Sequence, residues 1–197
     1  MPGSKILVFS GSVRTGSFNA RLAALAVKEL LLAEADVTHI SLLDYPLPIY
    51  DGDLEARSGP PENAIKLKRL MQLHRGVFIT CPEYNASMTP LLKNTLDWIS
   101  RVREEGEQPY AAYRNRVFAL AAASNGTYGG MRGLIALRHM LELGCGALVL
   151  PEQLAVREAG KAFDDRDNLI DERAAGALRA LVRRLLEITR QTPDDAG

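Results

Sequence analysis

Hydrophobic positions along the chain recur at two periods. Lys5–Ser10 is a short β-branched and apolar run, and Gly76–Thr80, Val117–Ala123 and Ala147–Leu150 are similarly short and almost wholly apolar. Such runs predict strands buried on both faces. Asp36–Leu42 predicts a further strand, second in order. Between the strands the period lengthens. Asn19–Ala35 carries Leu22, Leu25, Ala26, Leu30 and Ala33 at helical spacing, with Ser17 or Asn19 placed to cap it. Glu62–His74, Pro90–Ser100 and Gly130–Leu143 predict three more helices, the last ending at Gly144. A fifth, Glu172–Arg190, places Ala174, Leu178, Leu181, Leu185 and Ile188 on one face. Asp44–Pro61, broken by Pro46, Pro48, Gly52, Gly59, Pro60 and Pro61, reads as a loop.

Strands alternating with helices predict an α/β, doubly wound, five-stranded parallel sheet with helices on both faces. Residues 1–190 form one domain in this reading, followed by a polar tail, 191–197. With 197 residues, 47% of them hydrophobic, the chain buries a full core without a metal or disulfide staple. Lys plus Arg and Asp plus Glu number 24 each, which argues against a broad polyanion-binding surface and hence against nucleic acid as a partner. Two cysteines, Cys81 and Cys145, are too few for a disulfide framework and point to a reducing cytoplasmic setting. The longest apolar runs, such as Ile6–Phe9 and Leu30–Ala33, are too short for a membrane span or a signal peptide. No His, Cys and Asp grouping has metal-ligand spacing, so no metal is expected.

Sheets of this type take ligands outside the carboxyl ends of their strands, where strand order reverses. Three loops leave such ends: Gly11–Asn19, Cys81–Pro90 and Ser124–Gly130. The first follows a strand and opens a helix, so its backbone N–H groups and the helix dipole face whatever it holds. Ser12, Thr15, Ser17 and Asn19 add donors and Arg14 adds a positive charge, a set suited to phosphate. Gly11 and Gly16 have P-loop spacing, but Ser17 stands where the P-loop lysine belongs. The loop has no cysteine nucleophile and no G-x-G-x-x-G pattern. Binding a phosphate monoester without attacking it remains; a simple capping turn is the plainer alternative. In the second loop, Pro82 and Tyr84 offer a rigid edge and an aromatic face, and Asn85 can bond a heterocycle rim. Glu83 either titrates in a cleft or caps the next turn. The third loop has three glycines in five positions, permitting close approach of main chain to a flat ring.

Taken together, Gly11-Ser-x-Arg-x-x-Ser-x-Asn19, Pro82-Glu-Tyr-Asn85 with Leu92-Lys-Asn-x-x-Asp-Trp98, and Gly126-x-x-Gly-Gly-x-Arg132 resemble the signatures of the NAD(P)H-dependent FMN reductase family. The resemblance covers roughly residues 5 to 150, and that family includes quinone, azo-dye and chromate reductases. It implies the flavodoxin-like fold with strand order 2-1-3-4-5, and FMN as cofactor with NADPH or NADH as co-substrate. Ser12, Arg14, Ser17, Phe18 and Asn19 would then hold the phosphate end. Pro82, Glu83, Tyr84 and Asn85 would frame the isoalloxazine, with Ser124, Gly126 and Gly129 at its other edge. One departure is Thr89-Pro90, where many members have Pro-Gly.

With a flavin carrying hydride to a small-molecule electron acceptor, no side chain is required as acid or nucleophile. His39, His74 and His139 are therefore expected to be structural, as are Cys81 and Cys145. The resemblance also implies a homodimer or homotetramer. Met88, Trp98, Ile135, Leu137 and Met140 are compatible contact residues, and Arg101–Arg116, with Tyr110 and Tyr113, either reaches over a neighbouring site or is a solvated loop. Arg101 and Arg103 are candidates for the 2′-phosphate of NADPH. Two other classes share the fold: a non-enzymatic flavodoxin-type electron carrier and a phosphate-ligand-binding module.

Overall fold

In the structure, a computed structural model describing residues 4–192, five parallel strands lie in the order β2-β1-β3-β4-β5. They are β1 (Lys5–Ser10), β2 (Asp36–Ile40), β3 (Gly76–Thr80), β4 (Val117–Ala123) and β5 (Leu148–Val156). β3 and β4 are buried along their whole length, as their uninterrupted apolar runs require. The pleat sends alternate side chains to two cores. Ile6, Val8, Phe78, Ala119 and Ala121 meet α1 (Phe18–Leu32) and α6 (Glu172–Gln191) through Leu22, Ala26, Leu30, Leu178 and Leu185. On the opposite face Leu7, Phe9, Val77, Ile79 and Leu120 pack against α3 (Glu62–Leu73), α4 (Pro90–Arg101) and α5 (Met131–His139).

The expected five-helix pattern omitted α2 (Gly52–Ser58), inside the stretch read as a loop. This helix buries no residue, so it leaves no apolar period to detect. Asp51 starts it, accepting from the N–H groups of Asp53 and Leu54, and Gly59 ends it at φ 70°. β5 is also longer than the apolar run Ala147–Leu150. Pro151, Glu152 and Gln153 interrupt the hydrophobic sequence where register jumps from Phe118↔Val149 to Leu120↔Gln153. Such a bulge is tolerated because β5 is an edge strand. Arg138 Nη2 donates to the bulge carbonyl of Leu150 at 2.6 Å. The predicted helix Gly130–Leu143 divides into α5 and one π turn, Met140–Gly144. α1 stops at Leu32, short of Ala35, where Glu34 takes φ 60°. α6 extends into the expected tail as far as Gln191, and 193–197 lie outside the described residues.

The Arg101–Arg116 segment folds onto its own chain. Lys68, almost fully buried on α3, pairs with Glu107, and the Arg116 guanidinium donates to Met71 O and Gln72 O at the end of α3. Tyr113 is fully buried, its hydroxyl donating to Leu96 O at 2.5 Å. Trp98 and Leu137 are likewise fully buried, so neither forms a subunit contact. Trp98 Nε1 and Asn94 Nδ2 both donate to Pro48 O, fastening the proline-rich strand-to-helix connection onto α4.

Candidate functional site

All three loops emerge at the carboxyl edge of the sheet. The first is pinned at its root. Gly11 N donates to Thr80 O at 2.8 Å, and Gly11 O accepts from Thr89 Oγ1 at 2.7 Å. A Cβ on Gly11 would stand 3.0 Å from Leu92 Cδ2, so the glycine lets the loop lie against α4. Beyond it the chain turns through Gly16, at φ 67°, into α1. Ser17 is the N-cap, its Oγ accepting from Ala20 N at 3.3 Å. The N–H groups of Val13, Thr15 and Gly16, all on exposed residues, meet no acceptor among the described residues. Exposed N–H groups free of protein acceptors beside the positive end of a 15-residue helix fit a phosphate monoester. Arg14 is exposed at the same turn, its guanidinium donating to Thr15 O and Gly16 O. Ser12 Oγ accepts from Arg14 N at 3.4 Å.

Two residues of this motif are turned inward. Asn19 is buried, donating from Nδ2 to Ala123 O at 2.8 Å and accepting at Oδ1 from Ala123 N at 3.0 Å. Its own carbonyl accepts from Thr80 Oγ1 at 2.8 Å. The side chain thus holds α1 to the end of β4, and the backbone carbonyl holds it to the end of β3. Phe18 packs against the core on the α1 face.

The second loop forms a small hairpin. Tyr84 and Ser87 exchange backbone bonds of 2.9 and 3.0 Å, and Asn85 and Ala86 turn it with φ 50° and 63°. Positive φ at both central residues is the type I′ pattern. Pro82 is buried at its base; Tyr84 is 52% exposed and Asn85 is exposed. Glu83 points the other way, its carboxylate accepting from the N–H groups of Arg132 and Gly133 and pairing with the Arg132 guanidinium. Glu83 is thus a cap, not of the turn that follows it, as the capping alternative had it, but of α5.

In the third loop Ser124 N donates to Val156 O, and Ser124 Oγ accepts from Gly126 N at 3.2 Å. Gly129, at φ 60°, passes the β5 backbone so closely that a Cβ would lie 2.9 Å from Val156 C. Gly126 is exposed and meets only Ser124 Oγ, at 3.6 Å from such a Cβ. A fourth segment, 157–161, joins this edge and was missed in sequence. Ala159 N donates to Ser124 O, and Gly160 N donates to Asn125 Oδ1 at 2.7 Å. The signal that reveals it is the continuation of β5 to Val156.

A groove of about 510 Å³ opens beside the hairpin, lined by Met88, Lys93, Arg132, Ile135, His139 and Met140 among others. Lys93 is engaged there with Asp97 at 2.7 Å. Arg101 is held by Glu55 at 2.9 Å. Both cysteines are free thiols and buried. Burial pushes Cys81 up to about 12 and Cys145 up to about 11, so neither is a thiolate at neutral pH. His74 Nδ1 lies 2.6 Å from Leu70 O and Nε2 2.7 Å from Thr38 Oγ1, a structural role. Among the described residues no His, Cys, Asp and Glu group is placed to hold a metal, and no helix is long and apolar enough to cross a membrane.

Residues 4–161 match the family described as NADPH-dependent FMN reductase, a stretch that contains all three loops. The chain belongs to that FMN reductase family. It is therefore an oxidoreductase of the type that uses FMN with NAD(P)H as electron donor. An NAD(P)H-dependent FMN reductase of Pseudomonas aeruginosa is 33% identical over 190 residues, covering 92% of this chain and 96% of that protein. A quinone reductase of Escherichia coli is 33% identical over 138 residues, covering 70% and 69%. Among solved structures, the flavoenzyme NAD(P)H:(acceptor) oxidoreductase FerB of Paracoccus denitrificans superposes with a TM-score of 0.79 at 25% identity, covering 96% and 98%.

Proposed function

We propose that this FMN reductase takes hydride from NADPH or NADH and delivers electrons to small acceptors, quinones or free flavin, through FMN held at the carboxyl edge of the sheet. The observation that carries the reading is the set of exposed N–H groups at Val13, Thr15 and Gly16 that no acceptor among the described residues takes up, beside the start of α1 and on the same edge as the hairpin and the glycine loop. When bound, FMN supplies two-electron chemistry, accepting hydride from the nicotinamide and reducing the acceptor.

The chain's part is binding and orientation. The first-loop amides hold the phosphate, joined by the hydroxyls of Ser12 and Ser17, and Arg14 swings from its own loop carbonyls to meet the charge. Phe18 and Asn19 fix the start of α1 rather than touching phosphate through their side chains. Pro82, the Glu83 backbone, Tyr84 and Asn85 frame the ring on one side. Ser124 and Gly126 close the other, with Gly129 keeping β5 near. The relatives' names place quinones and flavin among acceptors of this family, and the absence of net charge disfavours a carrier that docks protein partners through an acidic surface. We place the protein in the cytoplasm on its two reduced thiols. We assign it as a homodimer or homotetramer, with the 57% exposed Ile135 on α5 as a contact residue.

The test is anaerobic titration of the FMN-loaded protein with NADPH. Loss of the yellow flavin absorbance, restored by a quinone, is the expected result. Colour that NADPH does not bleach would make the protein an electron carrier, and lack of affinity for FMN would overturn both readings.

A further inference from the structure

Helix α5 starts without a cap of its own. Its N-cap residue is Gly130, at φ 92°, which has no side chain to accept from the first-turn N–H groups. The missing acceptor arrives from a different loop. Glu83 Oε2 accepts from Arg132 N at 3.1 Å and Gly133 N at 3.4 Å, while Oε1 pairs with the Arg132 guanidinium. The Glu83 side chain is only 8% exposed, and a negative charge at a helix N-terminus is favourable. Gly133 permits the approach: a Cβ there would stand 3.2 Å from Glu83 Cα and 3.3 Å from Ser87 O. On the far side of the same turn, a Cβ on Gly130 would stand 2.6 Å from Ala122 Cβ on β4. The start of α5 is thus wedged between the second loop and the sheet, with one carboxylate fastening it.

We propose that Glu83 is a positioning residue for the flavin: by capping α5 from outside that helix, it sets the spacing between the loop after β3 and the loop after β4. This rests on the reading of those loops as the frame of the ring. Glu83 acts through backbone placement, because its carboxylate is already taken up by α5. Its loss lets the two loops drift apart, loosening the ring and changing its surroundings.

The experiment titrates apoprotein with FMN and records the visible circular dichroism of the bound flavin for wild type, Glu83→Ala and Glu83→Gln. Glutamine keeps an acceptor oxygen for the α5 amides, and it carries the test if the alanine variant does not fold. The FMN Kd is expected to rise by about tenfold or more in Glu83→Ala, the loss of one charged hydrogen bond, and by about twofold or more in Glu83→Gln, which loses only the charge, each with a changed dichroism band. A smaller rise, or an unchanged band, overturns the proposal, even where the melting temperature has dropped. Failure of the wild type itself to bind FMN overturns the assigned function, and is seen before any variant is compared.

Discussion

Asn19 and Glu83 occupy two motifs that in sequence look made for a ligand, yet each commits its polar atoms to the chain. Asn19 bonds both the N–H and the C=O of Ala123, 104 residues away, and Glu83 caps a helix that begins 48 positions later. The place proposed for the site could be read from the sequence, since it follows from where strands end. The division of labour within it could not be, because the acceptor or donor that claims a side chain lies far off in sequence and near only after folding. Arg14 illustrates the contrast. Its guanidinium reaches only carbonyls of its own exposed loop, so it remains available to an anion. Arg14→Ala is expected to weaken FMN binding by about 1.5–3 kcal/mol through loss of a charge-assisted contact. Fluorescence titration of the apoprotein checks this, and an unchanged Kd would remove Arg14 from the phosphate site.

The elements that sequence misjudged share a cause. α2 buries nothing and β5 is interrupted by a bulge, so both lack the apolar period by which the other elements announce themselves. The hairpin at residues 84–87 is another such element, with a turn type that no hydrophobic pattern encodes. Its second central residue is Ala86, at φ 63°, where glycine carries no steric cost. Ala86→Gly is expected to stabilise the folded protein by about 0.5–1 kcal/mol, because relief of left-handed strain outweighs the entropy of the glycine. Urea unfolding measures it. A destabilised variant would mean that the alanine methyl makes a contact worth more than the strain.

At the scale of the molecule, burial of ionisable groups makes stability depend on alkaline pH. Unfolded thiols ionise near 9.0, whereas in the fold Cys81 is pushed up to about 12 and Cys145 to about 11. Burial also raises the Tyr113 phenol well above its usual 10.0. Between those values the folded state keeps protons that the unfolded chain releases, so stability falls as pH rises from about 9 to about 12. Urea midpoints measured across that range are expected to decline, and less steeply in Cys81→Ala. A flat profile would contradict the burial.

The Asn19–Ala123 pair also carries a consequence for how the molecule is made. The first loop is synthesised within the opening tenth of the chain, but the residue that locks its helix in place follows 104 residues later. Until β4 slots in beside β3, the phosphate cradle lacks its anchor. The site proposed for the cofactor is therefore completed by a late, long-range event in folding, and a growing chain that has not yet reached residue 123 lacks the finished form of the loop assigned to FMN.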